Sequence, residues 1–219
     1  MISRALIPFL ALAALVIFLA INRGSIQLPT PQQTTNQDNQ PLPEGVAKFL
    51  DEEKINQFVS GGFKIYNGST PPDLNNKIYM LDDLTLISMI SGNSAFRKIG
   101  DKLEDYLYGF FNQTANGTIE LETSAPGANG TSTKGFITGE DSCFTVYAEQ
   151  EVKEYDCRFR YAKLVSACVQ EEGLVKFEML LHIIEHLGTT ICAKAELPGH
   201  TAIYEERDGL GTKINPPSE

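Results

Sequence analysis

The side chains best spaced to do chemistry are two histidines flanking a glutamate late in the chain. His182, Glu185 and His186 match the H-x-x-E-H pattern of one class of zinc metalloprotease. On a helix the histidines would share a face and could bind zinc, with the glutamate activating water. The stretch 174–187 also alternates as a strand does, which would leave both histidines on the surface with Glu185 opposite. A zinc-dependent hydrolase is therefore an alternative hypothesis, and strand or helix stays open.

Other catalytic patterns are weaker. Ser94 lacks the G-x-S-x-G context of an activated serine. The 28 acidic residues offer many carboxylate pairs, but no spacing selects one of them. Asp208-Gly209 supplies too few oxygen ligands for a calcium loop. We therefore expect no catalytic residue, metal ligand or cofactor, and a binding or structural module rather than an enzyme.

Four cysteines, Cys143, Cys157, Cys168 and Cys192, are candidates for disulfides. In an oxidising compartment an even number favours two bridges, whereas four buried free thiols are the alternative. Their spacing lacks the close pairs of a zinc site. A bridge from Cys143 to Cys157 across a hairpin is the simplest pairing, but strand alternation places them on opposite faces. The pairing therefore stays unassigned among three connectivities.

The chain opens with an apolar segment, residues 1–23, that is a signal peptide or a membrane anchor. No charge occurs between Arg4 and Arg23, which is close to the roughly 20 residues that span a bilayer. A bulky residue two places before Ala20 makes a poor cleavage site. Either way we expect the remainder to be extracytoplasmic, and membrane-anchored, periplasmic or secreted. Residues 24–42, rich in Pro, Thr, Gln and Asn, predict a disordered linker.

Residues 43–215 predict one β-rich domain preceded by a short helix. Apolar spacing before Gly61-Gly62 fits two short helices, the second capped by Asp51, as well as one helix, and we expect this helical segment to cover one end of the domain. Beyond them the chain alternates apolar and polar side chains, and turn signals such as Asn116-Gly117 and Asn129-Gly130 separate the alternating stretches. The predicted strands include Asp105–Phe111, Thr118–Thr123, Ser142–Ala148, Arg158–Cys168, Val175–Leu187, Thr190–Glu196 and Thr201–Glu205. This pattern predicts a mainly β fold, a closed or nearly closed antiparallel barrel of about eight strands.

Three stretches together resemble a family of uncharacterised bacterial cell-envelope proteins, many of them lipoproteins. They are Phe63–Pro72, with its Y-x-G-x-x-P-P motif; Phe110–Gln113 running into Asn116–Ile119; and Gly135–Asp141 running into Phe144–Val146. The resemblance implies a barrel-like domain at the cell surface or in the periplasm, without any assigned chemistry. The chain departs from the family in having no lipidation cysteine, Lys77 in place of a glycine, and four later cysteines.

The composition and the aromatic residues indicate which kinds of partner the protein could bind. A net charge of −10 without basic clusters argues against nucleic acid. A small barrel could hold a small apolar ligand, lined by Tyr106, Tyr108, Phe110 and Phe111, although such residues more often form the core. An envelope protein and, through the N-terminal segment, the membrane are the other expected partners. A third hypothesis is a surface or protease-inhibitory protein acting through an exposed loop at Ser124–Lys134. Four N-glycosylation sequons, at Asn67, Asn112, Asn116 and Asn129, are expected to be turn residues.

Overall fold

A computed structural model describes residues 42–92, 97–125, 128–154, 157–187 and 198–214. All of these belong to the compact unit Asp38–Glu219. The apolar segment 1–23, nearly all of the predicted linker, the predicted strand Thr190–Glu196 and Cys192 lie outside the described residues. Within the described ranges, no helix is both long enough and apolar enough to cross a membrane.

Two short helices precede the sheet, which is one of the two arrangements that the sequence leaves open. A 3-10 helix, η1, spans Val46–Lys48, and an α-helix, α1, spans Glu52–Ser60. The Asp51 side chain accepts a hydrogen bond from the Lys54 backbone N–H at 2.8 Å, which satisfies one of the free donors of the first turn. Beyond α1, Gly62 has a φ of 103°, a left-handed conformation that favours glycine.

The described chain is mainly β, and eight of its strands close into an antiparallel ring. The described strands are β1 (Ser69–Thr70), β2 (Lys77–Leu81), β3 (Leu84–Ser91), β4 (Lys102–Leu103), β5 (Tyr106–Phe111), β6 (Thr118–Ala125), β7 (Ala128–Glu140), β8 (Cys143–Glu154), β9 (Cys157–Val169), β10 (Gly173–His186), β11 (Thr201–Glu206) and β12 (Gly211–Ile214). The order around the ring is β12, β2, β5, β6, β7, β8, β9 and β10, and β12 pairs with both β2 and β10. The predicted closed arrangement of about eight antiparallel strands is thereby confirmed.

Strand β10 is long enough to take part in more than the ring. Its first residues, Gly173 and Leu174, pair with β12 and close the ring. Its later residues, Glu178–His182, pair with β11, which in turn pairs with β3, and β3 with β4. The long strands β7 to β10 therefore extend beyond the level at which β12 closes the ring.

The ring interior is packed with apolar side chains. Buried residues from β2 and β5 to β10 form one continuous interior cluster, in which the ring centroids of Tyr108 and Phe177 are 5.1 Å apart and those of Phe110 and Phe144 are 5.7 Å apart. Tyr106, Tyr108 and Phe110 belong to this core, whereas Phe111 is only half-buried. Of the four aromatic residues proposed as ligand-lining, Tyr106, Tyr108 and Phe110 are thus core residues and Phe111 is not.

A second apolar cluster lies on the opposite face of β8 to β11. Residues of the N-terminal segment, among them Leu50, Phe58 and Phe63, pack there against Leu164 and Leu180. This buries β9 and β10 on both faces, which explains their nearly continuous apolar runs. The helix prediction needs a correction here, because α1 covers an outer side of the sheet and not an end of the ring.

The predicted exposed loop at Ser124–Lys134 is wrong. Strand β6 ends at Ala125 and β7 begins at Ala128, so most of this stretch is paired strand. Asn129 lies opposite Ser124 on one side and Lys153 on the other. The expected turn at Asn129-Gly130 is therefore also wrong, because strand pairing on both sides outweighs the local turn preference of these residues. The turn at Asn116-Gly117 is confirmed, with Gly117 at a φ of 74°.

Candidate functional site

The histidines of the H-x-x-E-H pattern lie on a strand and face different clusters. The His182 ring contacts Phe58 of α1, whereas the His186 ring packs edge-on against Phe159 of the interior cluster. An irregularity between Ile183 and Glu185 shifts the register. Glu185 itself forms an ion pair with Arg160 at 2.7 Å. The zinc arrangement is therefore wrong for this fold, and no group of three His, Cys, Asp or Glu side chains in the described segments could hold a metal ion.

His182 is buried, contrary to the expectation of a surface histidine. Its side chain is 6% exposed and its Nδ1 atom lies 2.8 Å from the Thr201 Oγ1 atom on β11. Burial, helped by the charge of Lys54, lowers the pKa of His182 to about 4. The imidazole is therefore neutral at neutral pH, and its role is to fill the space between α1 and the sheet.

The cysteine pairing differs from the simplest one. Cys143 is bonded to Cys168, its direct register partner across the β8–β9 hairpin. Cys157 lies opposite Glu154 at the other end of that hairpin, which is why it does not pair with Cys143. Cys157 is also disulfide-bonded, and the described residues contain no free cysteine. The alternative of free buried thiols is therefore wrong for these three residues.

A polar cluster lies inside the ring, where the interior is otherwise apolar. We name Tyr106, Thr123, Gln150 and Lys163 the interior polar cluster. Alternate residues of β9 point inward, and Lys163 stands in that series between Tyr161 and Val165, which both belong to the interior core. The Lys163 side chain is only 1% exposed. Strand alternation therefore carries an ammonium group into the ring.

The contacts of Lys163 are all to neutral groups. Its Nζ atom donates to the Tyr106 hydroxyl at 3.3 Å and to the Thr123 hydroxyl at 3.2 Å. It also lies 5.4 Å from the centroid of the Tyr106 ring and 5.9 Å from that of the Tyr108 ring, within cation–π range. Thr123 donates onward to the Gln150 amide oxygen at 3.4 Å, and the Gln150 amide nitrogen donates to the Leu121 carbonyl. The cluster thus links β5, β6, β8 and β9 through hydrogen bonds.

Lys163 has no counter-charge among the described residues. Its hydrogen-bond partners are hydroxyls, and none of the ion pairs formed by described residues includes it. Removing an ammonium from water costs several kcal/mol, and hydroxyls and aromatic faces offset that only in part. Among the described residues, the Lys163 side chain is therefore stabilised by two hydroxyls and two aromatic rings and by no carboxylate.

A small cavity lies at the end of the ring beside this cluster. We name it the ring-end cavity; its volume is about 20 Å³, and its lining includes Ser91, Arg97, Tyr161, Leu181, His200 and Thr201. Leu181 is the register partner of Lys163 on β10, and Tyr161 precedes Lys163 on the inward face of β9. Arg97 donates to the Tyr204 and Tyr161 hydroxyls. The described lining of the cavity contains no acidic side chain.

A larger trough of about 450 Å³ lies on the surface where the Y-x-G-x-x-P-P motif runs. Its walls include Gly68, Thr70, Asn116 and Thr138, and its described lining carries no charge. Gln113, also in this wall, uses its amide to bind the Leu74 N–H and the Pro72 carbonyl. The motif therefore has a structural role here, which is to fix the chain that leads into β2.

Sequence reasoning missed the interior polar cluster, although one signal was present. Lys163 stands alone as a charged residue in the otherwise mostly apolar run from Tyr161 to Cys168. A charge in the middle of a strand buried on both faces is rare enough to mark a position. The residues that accompany it, Tyr106 and Thr123, come from distant strands and could be found only once the ring was known.

Comparison with protein-family models, with curated proteins and with solved structures found no match to this chain.

Proposed function

We propose that this chain is a non-catalytic binding module of the cell envelope that takes a small ligand group at the interior polar cluster. The observation that carries the proposal is the position of Lys163, a buried cation surrounded by hydroxyl groups inside a ring otherwise packed with apolar residues. Ligand sites typically combine apolar walls with a few convergent polar groups. The ring-end cavity lies near the cluster, because Tyr161 and Leu181, which line it, are neighbours of Lys163.

The envelope part of the proposal draws on separate observations. The uncharged segment between Arg4 and Arg23 has the composition of a signal peptide or membrane anchor. The Cys143–Cys168 bridge is of the kind that persists in oxidising compartments. The resemblance to bacterial cell-envelope proteins points the same way. We therefore place the domain outside the cytoplasm, held at the membrane by its N-terminal segment or released from it.

Binding can be tested on the full-length chain in mild detergent by following thermal unfolding through tyrosine fluorescence. The probes are small anionic, neutral and cationic molecules: acetate, acetamide and methylammonium, all at constant ionic strength. At ten times its dissociation constant, a bound probe should raise Tm by about 3–6 °C. Tyr106→Phe, which removes one hydroxyl of the cluster, should weaken the effect. Tyr66→Phe, outside the interior polar cluster, should not.

Failure of every probe to raise Tm, or an equal response in all three proteins, would contradict the proposed binding site.

The cellular compartment of the domain is tested separately. In the cell of origin, rapid alkylation of free thiols followed by mass measurement should leave Cys143 and Cys168 unlabelled. Full labelling of both would place the domain in a reducing compartment and contradict the envelope assignment, whatever the outcome of the binding test.

A further inference from the structure

We infer that the ligand group bound by the interior polar cluster is a compact anion, of the size of a carboxylate, whose charge is neutralised by the Lys163 ammonium. This inference rests on the proposed function, because it names the ligand class of the same site. It goes beyond that proposal by assigning the sign of the charge, the size of the group and the residue that recognises it.

The sign of the charge follows from the contacts of Lys163. Among the described residues its hydrogen-bond partners are two neutral hydroxyls, and its Nζ atom also lies near the Tyr106 and Tyr108 rings. An ammonium can donate three hydrogen bonds, and two of these are used. An anion would take the third donor and supply the missing counter-charge, whereas a neutral or cationic group would leave the buried charge uncompensated.

The size of the group follows from the packing. The ring interior is filled by aromatic and aliphatic side chains, and the neighbouring ring-end cavity measures about 20 Å³. Two residues next to Lys163 line this cavity: Tyr161, two positions before it on β9, and Leu181, its register partner on β10. Only a compact group can enter such a space. A carboxylate fits this limit, both as a small free acid and as the end of a longer amphiphile.

The surroundings of the cavity favour the same sign. None of the described residues that line it is acidic, although the chain carries a net charge of −10. The lining instead includes the Ser91 and Thr201 hydroxyls. Acidic groups would repel an anion on its way to Lys163, and their absence from this described lining keeps the approach open.

The test compares acetate with neutral acetamide on the full-length wild-type chain, on Lys163→Met and on Lys153→Met. Lys153 is an exposed lysine of β8 and serves as the matched control. We expect acetate to raise Tm by about 3–6 °C near ten times its dissociation constant in the wild-type and Lys153→Met chains, and acetamide to have no effect. Lys163→Met should lose the acetate response while being at least as stable without it, because the buried charge is gone.

An acetate response that survives in Lys163→Met overturns the inference. So does a response to acetamide alone, which would leave the proposed binding function intact. If no probe changes Tm, both the inference about the anion and the proposed binding function are contradicted. If Lys163→Met does not fold, NMR spectra of the wild-type chain labelled with ¹⁵N-lysine provide the test. The inference predicts that acetate shifts the signal of one buried Nζ atom. If acetate raises Tm but leaves every Nζ signal unchanged, the inference is contradicted. Octanoate distinguishes a small free acid from the carboxylate end of an amphiphile. Octanoate that binds more tightly than acetate identifies an amphiphile as the ligand. Octanoate that binds equally or more weakly identifies a small free acid.

Discussion

At the scale of single residues, two buried titratable side chains make the stability of the fold depend on pH in opposite directions. His182 lies between α1 and the sheet, where burial lowers its pKa to about 4. Glu206, at the end of β11, is 5% exposed, and its carboxylate accepts the Asp83 backbone N–H. Burial, reinforced by the neighbouring Asp208, raises the pKa of Glu206 to about 7. Each group therefore favours its neutral form in the folded chain.

For His182, we predict that the stability of the fold decreases as the pH becomes acidic. Because its pKa is about 4 in the folded chain and near 6.5 in the unfolded chain, the unfolded chain binds the proton more tightly. The contribution of neutral His182 is fully present above about pH 6.5 and is lost as the pH falls through 4. Urea unfolding should therefore show the stability difference between wild type and His182→Gln falling by up to about 3 kcal/mol between pH 7.5 and pH 4. A difference independent of pH would contradict this account.

For Glu206, we predict that the stability of the fold decreases as the pH becomes mildly alkaline. The pKa of Glu206 in the folded chain, about 7, exceeds the 4.5 of an unperturbed glutamate, so its contribution is fully present below about pH 4.5 and is lost as the pH rises through 7. Glu206→Gln keeps an oxygen that can accept the Asp83 N–H but cannot ionise. We expect it to be more stable than wild type at pH 8, by on the order of 1–2 kcal/mol, and not at pH 5. Glu205→Gln, a half-exposed neighbour, should lack this pH dependence; an equal effect in both variants would contradict the assignment.

At the scale of elements, the segment after α1 is held to the sheet by one buried carboxylate. Glu178 of β10 is 4% exposed and accepts two hydrogen bonds from Lys64, from the backbone N–H at 2.9 Å and from the Nζ atom at 2.7 Å. The bond to Glu178 raises the pKa of Lys64. Farther along, the Tyr66 N–H donates to the Thr145 hydroxyl. These bonds fix the path by which α1 covers the outer face of β8 to β11.

Removing this carboxylate should loosen the helix before it loosens the ring. In Glu178→Ala the Lys64 backbone N–H loses its acceptor in a partly buried position, which costs about 1–3 kcal/mol. Hydrogen exchange should therefore speed up in α1 and in residues 61–66, while amides of the β8–β9 hairpin stay protected. Lys64→Met, which keeps the backbone bond, is the control and should change exchange less. Equal acceleration throughout the sheet would show that the segment and the ring unfold together.

The elements that could be read from the sequence are those whose signal is local. Alternating side chains gave the strands around Tyr108, Leu121 and Val146, and the Asp51 cap gave the start of α1. The burial of His182 could not be read, because the residue that covers it, Phe58, comes from an element more than 100 positions away. The β10 irregularity that turns His186 toward Phe159 is likewise visible only in the pairing with β9.

The cysteine pairing could not be predicted because the turn between β8 and β9 was not recognised in the sequence. The predicted strand at Ser142–Ala148 stopped short of the true end of β8 at Glu154. Once Glu154 is placed opposite Cys157, the antiparallel register puts Cys143 opposite Cys168 without further information. The turn signal that would have fixed this register is weak, because the residues between β8 and β9 include neither glycine nor proline. The interior position of Lys163 depends on the same register.

At the scale of the whole molecule, the ring depends on the contact of β10 with β12. Gly173 lies opposite Thr212, and a Cβ atom at Gly173 would collide with the Gly211 carbonyl oxygen. Gly173→Ala should therefore force these two backbones apart. We expect a loss of about 2–3 kcal/mol in the free energy of unfolding, in the range of overpacked sites, and faster hydrogen exchange in β12. Thr212→Ala, an exposed control on the same strand, should have little effect; equal losses in the two variants would contradict this view of the closure.

The central claim is that the interior polar cluster acts as one unit that holds an anion through Lys163. A double-mutant cycle tests it most directly, with the acetate dissociation constant of the full-length chain measured for wild type, Lys163→Met, Thr123→Val and the double variant. Thr123→Val alone should weaken acetate binding several-fold, since it removes a hydroxyl that orients the ammonium. Lys163→Met and the double variant should both bind acetate too weakly to be told apart. Independent, multiplying effects of the two substitutions, or acetate binding that does not depend on Lys163, would contradict the account.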